Sequence, residues 1–302
     1  MIKIKRYFNK NIRKIIIFFT VIIVVIIIIQ VLNGLAKKDN NTELNNVISE
    51  NITSKVQRDT VITEGKVEKE KNDQISYVIN NFISKCNEKK LEDAYNMLSN
   101  DCKEQMYPNI NIFKNSYYDT IFSVTREVGI ESWITKNGIY TYKVTLTGNS
   151  INLANILQTE DYYSIVKEND EIKLNINSFI GKKDINKEKE TDTLKIKLNK
   201  VYIYMDYETY DIDVYNKKNE SIKLDTKSKS DTMFVEDNKN NKYFSKNYEL
   251  SDFDLNVNSK SNKNIKITYT KSYNSKLDTK KIVFYDIKYS ANKESEKIEI
   301  NI

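Results

Sequence analysis

The feature that most constrains this chain is an almost unbroken apolar run from Ile15 to Leu32, interrupted only by Thr20 and Gln30. A helix of this length would extend about 27 Å, close to the ~30 Å thickness of the hydrocarbon part of a bilayer. Strands rarely exceed about ten residues, so the run is too long for one buried strand. We therefore predict a transmembrane helix over residues 15–35.

Basic residues, and no acidic ones, precede this run: Lys3, Lys5, Arg6, Lys10, Arg13 and Lys14. Basic residues that flank a transmembrane helix favour the cytoplasmic side. The sequence thus predicts a cytoplasmic tail (1–14) and a single-pass cell membrane protein whose residues after about 36 are extracytoplasmic. A cleaved signal peptide is the alternative, because small residues follow the run at Gly34 and Ala36. The run is longer than the usual apolar core of a signal peptide, which favours the uncleaved anchor.

The tail also explains the basic character of the chain. The 302 residues include 48 Lys and Arg against 42 Asp and Glu, and the part after the tail holds 42 of each sign. Nucleic-acid-binding domains concentrate cations on their folded part, so we expect no nucleic-acid partner.

Histidine is absent, which excludes Ser-His-Asp and Cys-His catalysis and His-ligated zinc. We expect no catalytic residue, no cofactor and no metal ligand.

Residues 36–72 are polar and lack a sustained apolar period, which predicts a stalk. After Asp73 the apolar residues follow one stripe with helical spacing, made of Ile75, Val78, Ile79, Phe82, Ile83 and Cys86. Further helical segments follow, and from about Ile130 apolar residues alternate with polar ones, as in strands. Helices followed by antiparallel strands predict an α+β domain over residues 73–182.

A charged segment separates this domain from a second one. The sequence KKDINKEK at 182–189 indicates an interdomain linker, which we place at residues 183–192. About seven short strands at regular spacing then predict an all-β sandwich over residues 193–302. The alternation is clearest where Tyr210, Ile212 and Val214 are separated by Asp211 and Asp213.

The element order and the segment AYNMLSNDCKEQMYPNINIFKNSYY, from Ala94 to Tyr118, resemble extracytoplasmic NTF2-like domains of Gram-positive membrane-anchored proteins. The later strands resemble the Ig-like β-sandwich domains at the C-termini of low-GC bacterial surface proteins. The first resemblance implies helices packed on a curved antiparallel sheet that forms a cone. Neither resemblance implies a catalytic or cofactor-binding residue.

Two cysteines, Cys86 and Cys102, lie at the end of the first predicted helix and just after the second. Two interpretations stay open. A disulfide across the helical hairpin is allowed outside the membrane and would contribute about 3 kcal/mol. Two buried thiols are equally consistent, because Cys86 also fits the apolar stripe.

Tyrosine is unusually frequent, with 21 residues that we interpret mainly as core and cross-strand packing. Four of them are close enough in sequence to form an exposed contact patch: Tyr202, Tyr204, Tyr207 and Tyr210. Five residues carry atoms suited to acid–base chemistry: Tyr118, Asp119, Glu160, Asp161 and Tyr162. No pattern brings these five together in the cone, so we expect no enzyme.

These observations predict a single-pass, membrane-anchored extracytoplasmic binding or scaffold protein of the bacterial cell surface. Its expected partners are the lipid bilayer, other surface or envelope proteins, and further copies of itself. An anchor followed by an NTF2-like domain resembles the assembly-factor subunit of a conjugation or secretion apparatus. The alternative is an extracytoplasmic sensor that uses the cone as a pocket for a small ligand.

Overall fold

A long amphipathic helix, α1 (Lys69–Asn87), begins the part of the chain that the computed structural model describes, residues 69–149, 156–227, 231–246, 249–274, 276–289 and 295–302. Its predicted apolar stripe is buried at Ile75, Ile79, Phe82, Ile83 and Cys86. The last four residues of the predicted stalk are helical. The rest of the stalk, the basic tail and the predicted transmembrane helix lie outside the described residues. Within the described ranges, no helix is long and apolar enough to cross a bilayer.

Short helical segments follow α1: α2 (Leu91–Asn96), α3 (Asn100–Met106), α4 (Ile110–Phe113), a π-helical turn (Lys114–Tyr118) and α5 (Asp119–Ile121). Side-chain caps define where two of them begin. Ser99 Oγ accepts a hydrogen bond from the Cys102 amide at 2.9 Å, and Asn109 Oδ1 accepts one from the Ile112 amide at 3.0 Å. These caps satisfy amide groups that have no partner inside the helix.

Four antiparallel strands complete the N-terminal module, residues 69–178: β1 (Glu127–Lys136), β2 (Ile139–Asn149), β3 (Ile156–Glu168) and β4 (Glu171–Asn175), in the order β1-β2-β3-β4. The sequence Asn137-Gly138, a typical hairpin turn, joins the first two strands. Its φ angles of 51° and 78° suit a tight hairpin turn, in which both central residues need positive φ. Helices and sheet share one core, which includes Phe82, Phe113, Tyr142 and Tyr163.

The C-terminal module, residues 179–302, consists of β5 (Phe179–Glu190), β6 (Leu194–Tyr204), β7 (Glu208–Asn216), β8 (Ile222–Lys223), β9 (Met233–Asp237), β10 (Lys242–Phe244), α6 (Asp252–Leu255), β11 (Asn256–Val257), β12 (Asn262–Tyr269), β13 (Thr279–Tyr289) and β14 (Glu296–Asn301). One sheet has the order β12-β7-β6-β5. The other has the order β10-β9-β13-β8-β11, and β14 also pairs with β13. Both sheets contribute to a second core, for example Ile196 and Ile212 from the first and Val235 and Phe284 from the second.

A bulge in β6 lets this strand serve both cores. The pairing of β6 with β7 shifts register between Leu198 and Lys200. An extra residue in one strand re-aims the side chains beyond it, so Val201 continues the inward row that Leu198 ends. Tyr202 and Tyr204 then lie on the opposite face, where they join the core of the N-terminal module.

The predicted linker at 183–192 is wrong for most of its length. Up to Glu190 it belongs to β5, which pairs with β6 along its length. β5 is an edge strand whose charged side chains from Lys183 to Glu190 are exposed, and charges are common on such edges. A polar composition therefore fits an edge strand as well as a linker.

The described residues are mostly antiparallel β-sheet with a few helices, in the predicted order of helices first and strands later. All of them belong to one compact unit of the chain. The β5–β6 hairpin connects the two cores, since Phe179 and Tyr204 pack in the first and Leu194 and Ile196 in the second.

Candidate functional site

A buried carboxylate lies inside the N-terminal module. Asp161, on β3, accepts hydrogen bonds from the Ser178 amide at 2.8 Å and from the Asn177 amide at 2.9 Å. Both of these turn residues have positive φ, 60° and 57°. Successive backbone N–H groups in such a turn form a small anion-binding concavity. Asp161 therefore fixes the turn through which the chain passes from β4 into β5.

Two tyrosines lie next to this carboxylate. Tyr117 OH is 3.5 Å from Asp161 Oδ2 and 2.6 Å from Tyr163 OH. Burial raises the pKa of Asp161 to about 6, although hydrogen bonds from nearby backbone N–H groups act in the opposite direction. Burial also holds the pKa of both tyrosines well above the ordinary range. Perturbed pKa values are common at functional sites, but they also occur in structural networks.

Aromatic rings fill the space around this cluster. Phe113 has ring-centroid distances of 5.4 Å to Tyr107, 5.8 Å to Tyr117 and 6.2 Å to Tyr118. Phe82 packs edge-on against Tyr163 at 5.9 Å. All of these rings are buried. The interior that the cone hypothesis assigns to a ligand is thus occupied by the side chains of the protein.

The structure separates the five residues that the sequence singled out for acid–base chemistry. Asp119 and Glu160 are exposed and form surface ion pairs with lysines. Tyr162 lies on the opposite face of β3 from Asp161, because successive strand residues alternate. Tyr118 is buried and donates a hydrogen bond to a backbone carbonyl of α1. These residues do not converge on one site.

Cys86 and Cys102 are free and fully buried thiols. The structure thus replaces the disulfide interpretation with the second one. Each residue faces the core from its own helix, Cys86 in the stripe of α1 and Cys102 in the first turn of α3. Burial raises the pKa of Cys102 to about 12 and that of Cys86 further, so neither is a reactive thiolate near neutral pH.

The predicted exposed patch of Tyr202, Tyr204, Tyr207 and Tyr210 is wrong. Three of these residues are buried, and Tyr207 is half-buried. The N-terminal module covers Tyr202 and Tyr204, and Gln105 Nε2 donates to Tyr204 OH at 3.0 Å. Tyr207 stacks on Tyr204 with the ring centroids 4.3 Å apart, whereas Tyr210 faces the second core. Strand alternation indicates two faces, but it does not indicate what covers each one.

A cleft of about 330 Å³ opens where the two modules meet, and we call it the junction cleft. Its floor is the inward face of β5, β6 and β7 beyond the bulge. Two cross-strand rows form this floor, Gly181–Ile203–Glu208 and Lys183–Val201–Tyr210. The tip of the β1–β2 hairpin supplies one wall, and the segment between β12 and β13 supplies the other. This volume is at the lower end of the range for small-molecule sites.

A buried ion pair lies in the floor of the junction cleft. Lys271 Nζ donates to Glu208 Oε1 at 2.7 Å, and the two residues are only 3% and 5% exposed. Tyr210 OH at 2.7 Å and Thr279 Oγ1 at 2.9 Å donate to the other carboxylate oxygen. A charge is tolerated at such depth when it is paired and hydrogen-bonded. Glu208 is therefore held in place through both of its carboxylate oxygens.

A second ion pair joins the two modules across the cleft. Lys136, at the end of β1, is 8% exposed, and its Nζ pairs with Asp278 at 2.7 Å. The same nitrogen donates to the Asn274 carbonyl oxygen at 3.0 Å. This contact ties the hairpin tip of the N-terminal module to a segment of the C-terminal module.

Most of the remaining surface of the junction cleft is aliphatic, with Ile139, Ile185, Val201, Ile203 and Leu277. Two adjacent lysines of β5 differ in their partners. Lys182 Nζ pairs with Asp101 at 2.7 Å and Glu104 at 3.1 Å, both on α3. Lys183 is exposed, and no ion pair joins it to any described residue. The cleft is thus a mainly apolar space with a cation at its rim, Lys183, that pairs with no acidic side chain in the part of the chain that the structure describes.

Asp211 and Asp213 form hydrogen bonds with amide side chains away from the cleft. On the outer face of the sheet, Asn199 and Asn264 each donate to both Asp211 and Asp213. Over the described ranges, no group of three or more Cys, Asp or Glu side chains is placed to hold a metal ion.

The cleft and its charged residues were not predicted from the sequence. One signal for Glu208 was present, because it extends the inward row of Tyr210, Ile212 and Val214 by one further step of two. The partner of Glu208 carried no comparable signal, since Lys271 is 63 residues away in the chain. Pairing at such a separation depends on the fold.

Comparison with known proteins gives no match: neither a protein-family model, nor a curated protein, nor a solved structure is similar to this chain.

Proposed function

We propose that this protein is a membrane-anchored extracytoplasmic binding protein that holds a small, largely apolar ligand in the junction cleft. The observation that carries the proposal is the cleft itself, a space of about 330 Å³ with aliphatic walls and a few fixed polar groups. Small-molecule sites have this character, and they occur preferentially where domains meet.

The polar groups of the floor and walls are fixed without a ligand. Both oxygens of Glu208 already accept hydrogen bonds, and Lys136 is bound to the opposite wall. A preorganised site loses less conformational entropy on binding. Because the Glu208 carboxylate is fully engaged, the arrangement favours binding over acid–base chemistry at this residue.

We also propose a specific fold for each of the two domains. Helices packed on an antiparallel sheet support an NTF2-like domain at 73–182, and two facing sheets support an Ig-like domain at 193–302. The aromatic filling of the first core favours the junction cleft over the cone as the ligand site.

Membrane attachment and extracytoplasmic placement rest on the apolar run from Ile15 to Leu32 and the six basic residues before it. An anchor keeps the cleft close to the membrane surface, and the polar segment before α1 gives it reach. Protease treatment of intact cells should digest residues after about 36 and leave a tag on the N-terminus protected. Digestion of that tag with protection of the rest would reverse the proposed orientation.

The neutral dye N-phenyl-1-naphthylamine tests the cleft, because its fluorescence rises in apolar surroundings. Gly181→Val adds a side chain to the floor, where a Cβ would meet only Asn175 and Ile139 side-chain atoms, each at 4.0 Å. We expect this variant of the full chain, in lipid nanodiscs, to bind the dye at least tenfold more weakly. Because the nanodiscs are identical, the difference in dye fluorescence between variants excludes the dye that binds to lipid.

Gly129→Val is the matched control, because a Cβ there would make an ordinary contact with Thr145 at 3.8 Å, away from the cleft. It should bind the dye like the unchanged chain. Circular dichroism of both variants checks that they are folded. If Gly181→Val binds the dye as tightly as the control, the cleft is not the ligand site.

The scaffold version of the function stays a prediction, as does a role in a conjugation or secretion apparatus. It requires other surface or envelope proteins, or further copies of the chain, as partners. Sedimentation of the detergent-solubilised chain measures the oligomeric state. If the protein is strictly monomeric and deletion of its gene leaves conjugative transfer intact, this version is contradicted.

A further inference from the structure

We infer that the ligand of the junction cleft is a small amphipathic anion, with one carboxylate or phosphate group beside Lys183 and an aliphatic body along the floor. This inference rests on the proposed function and adds the chemical class of the ligand. It follows from the distribution of charge and of empty space in the cleft.

Most of the side-chain charge on the cleft side is internally neutralised. Lys271 is paired with Glu208, and Lys136 is paired with Asp278. The ammonium group of Lys182 is bound to two acids of α3. A cationic ligand would therefore meet acids that already have partners, together with one additional cation.

Lys183 is the lining cation that no described acid matches. It lies directly opposite Val201 in the β5–β6 ladder, and residues directly opposite each other share a face of the sheet. Both residues line the cleft. Because β5 is an edge strand and Lys183 is exposed, its ammonium group can reach an anion at the rim while it stays hydrated.

The space for an aliphatic body lies above the neighbouring row of the floor. Gly181 has no side chain there, so the floor is open between Ile203 on β6 and Ile139 of the hairpin wall. The nearest atoms to a Cβ at Gly181 would be 4.0 Å away, which is ordinary van der Waals contact. Lys183 is two residues along the same strand. An anionic group and an aliphatic chain thus find their complements side by side.

Displacement of the dye by matched eight-carbon compounds tests the inference. The probes are octanoate, octyl phosphate, octylammonium and octanol, and the protein is the full chain in nanodiscs of zwitterionic lipid. The variants are Lys183→Gln, which removes the charge, and Lys183→Glu, which reverses it. Lys187→Gln is the control, because Lys187 is an exposed lysine of the same strand that lies outside the cleft.

We expect octanoate or octyl phosphate to displace the dye at concentrations about tenfold lower than octylammonium. Lys183→Gln should weaken the anions about fivefold and leave octanol unchanged, and Lys183→Glu should favour octylammonium. Lys187→Gln should behave like the unchanged chain. The tighter of the two anions identifies the head group.

Two results would overturn the inference in different ways. If octylammonium or octanol displaces the dye as well as the anions do, or if Lys183→Gln leaves the anions unaffected, the ligand class is wrong while the cleft remains a binding site. If the dye itself binds Gly181→Val and the unchanged chain equally, the proposed function fails together with the inference.

Discussion

The interior of the N-terminal module and the junction cleft each contain a buried acid with hydroxyl groups beside it, yet only one of them has room for a ligand. Asp161 is held by the N–H groups of a positive-φ turn and enclosed by aromatic rings. Glu208 is held by a lysine and two hydroxyl groups, and it lines an open cleft. A buried acid with hydroxyl neighbours is therefore not by itself a mark of a site. The adjacent space decides which of the two regions can bind.

The largest effect is expected from removing an aromatic ring from the packed interior of the N-terminal module. Phe113→Ala removes a fully buried ring that contacts several other aromatic rings, which should lower the free energy of unfolding by about 3–5 kcal/mol. Urea denaturation measures this change. Ile112→Ala, at the neighbouring exposed position, should cost less than about 1 kcal/mol. Similar losses in the two variants would mean that the interior is not packed as described.

The next largest effect concerns the ion pair in the open region. Lys271→Met leaves the Glu208 carboxylate buried without its cation, which should cost about 3 kcal/mol in unfolding free energy. The double variant Glu208→Leu with Lys271→Met should recover most of this loss, because an apolar pair replaces a buried ionic one. Guanidinium denaturation of both proteins gives the comparison. A double variant less stable than Lys271→Met would show that the carboxylate itself is needed by its other donors.

A smaller effect is expected from pH in the filled region. Asp161 has a pKa of about 6 in the folded protein, above the 3.8 of an exposed Asp, so the folded state retains the proton that the unfolded state releases. Its contribution to stability is therefore greatest below pH 4 and is lost as the pH rises through 6. Relative to Asp161→Asn, the unchanged protein should lose about 2 kcal/mol of unfolding free energy between pH 4 and pH 7. Thermal denaturation of both proteins across this range measures the difference, and parallel pH profiles would contradict it.

The elements that local patterns specify could be predicted from the sequence. The stripe of α1 from Ile75 to Cys86, the Asn137-Gly138 turn and the alternation around Ile212 each depend on residues close in the chain. A periodic apolar face must be buried against something, so the element and its buried side follow from the pattern. The α+β and then all-β order follows from the succession of these elements.

The predictions that were wrong or missing have one physical cause: whether a residue is buried depends on residues far away in the chain. The charged residues from Lys183 to Glu190 form a strand because β6 supplies hydrogen bonds. Tyr202 is buried because the bulge in β6 aims it at the N-terminal core. The junction cleft could not be predicted, since its walls come from β1, from β5 to β7 and from the segment before β13. No short-range pattern in the sequence encodes the contact between segments so far apart in the chain.

The continuous β5–β6 hairpin limits how this chain can be divided or recombined. A fragment that starts at residue 193 would keep β6 paired with β7 but lose β5 from its other edge, leaving a row of backbone N–H and C=O groups open to pairing between molecules. A fragment that ends at residue 182 would lose Tyr202 and Tyr204 from the first core. Shuffling of either module into another protein would therefore have to carry this hairpin along, because it contributes residues to both cores.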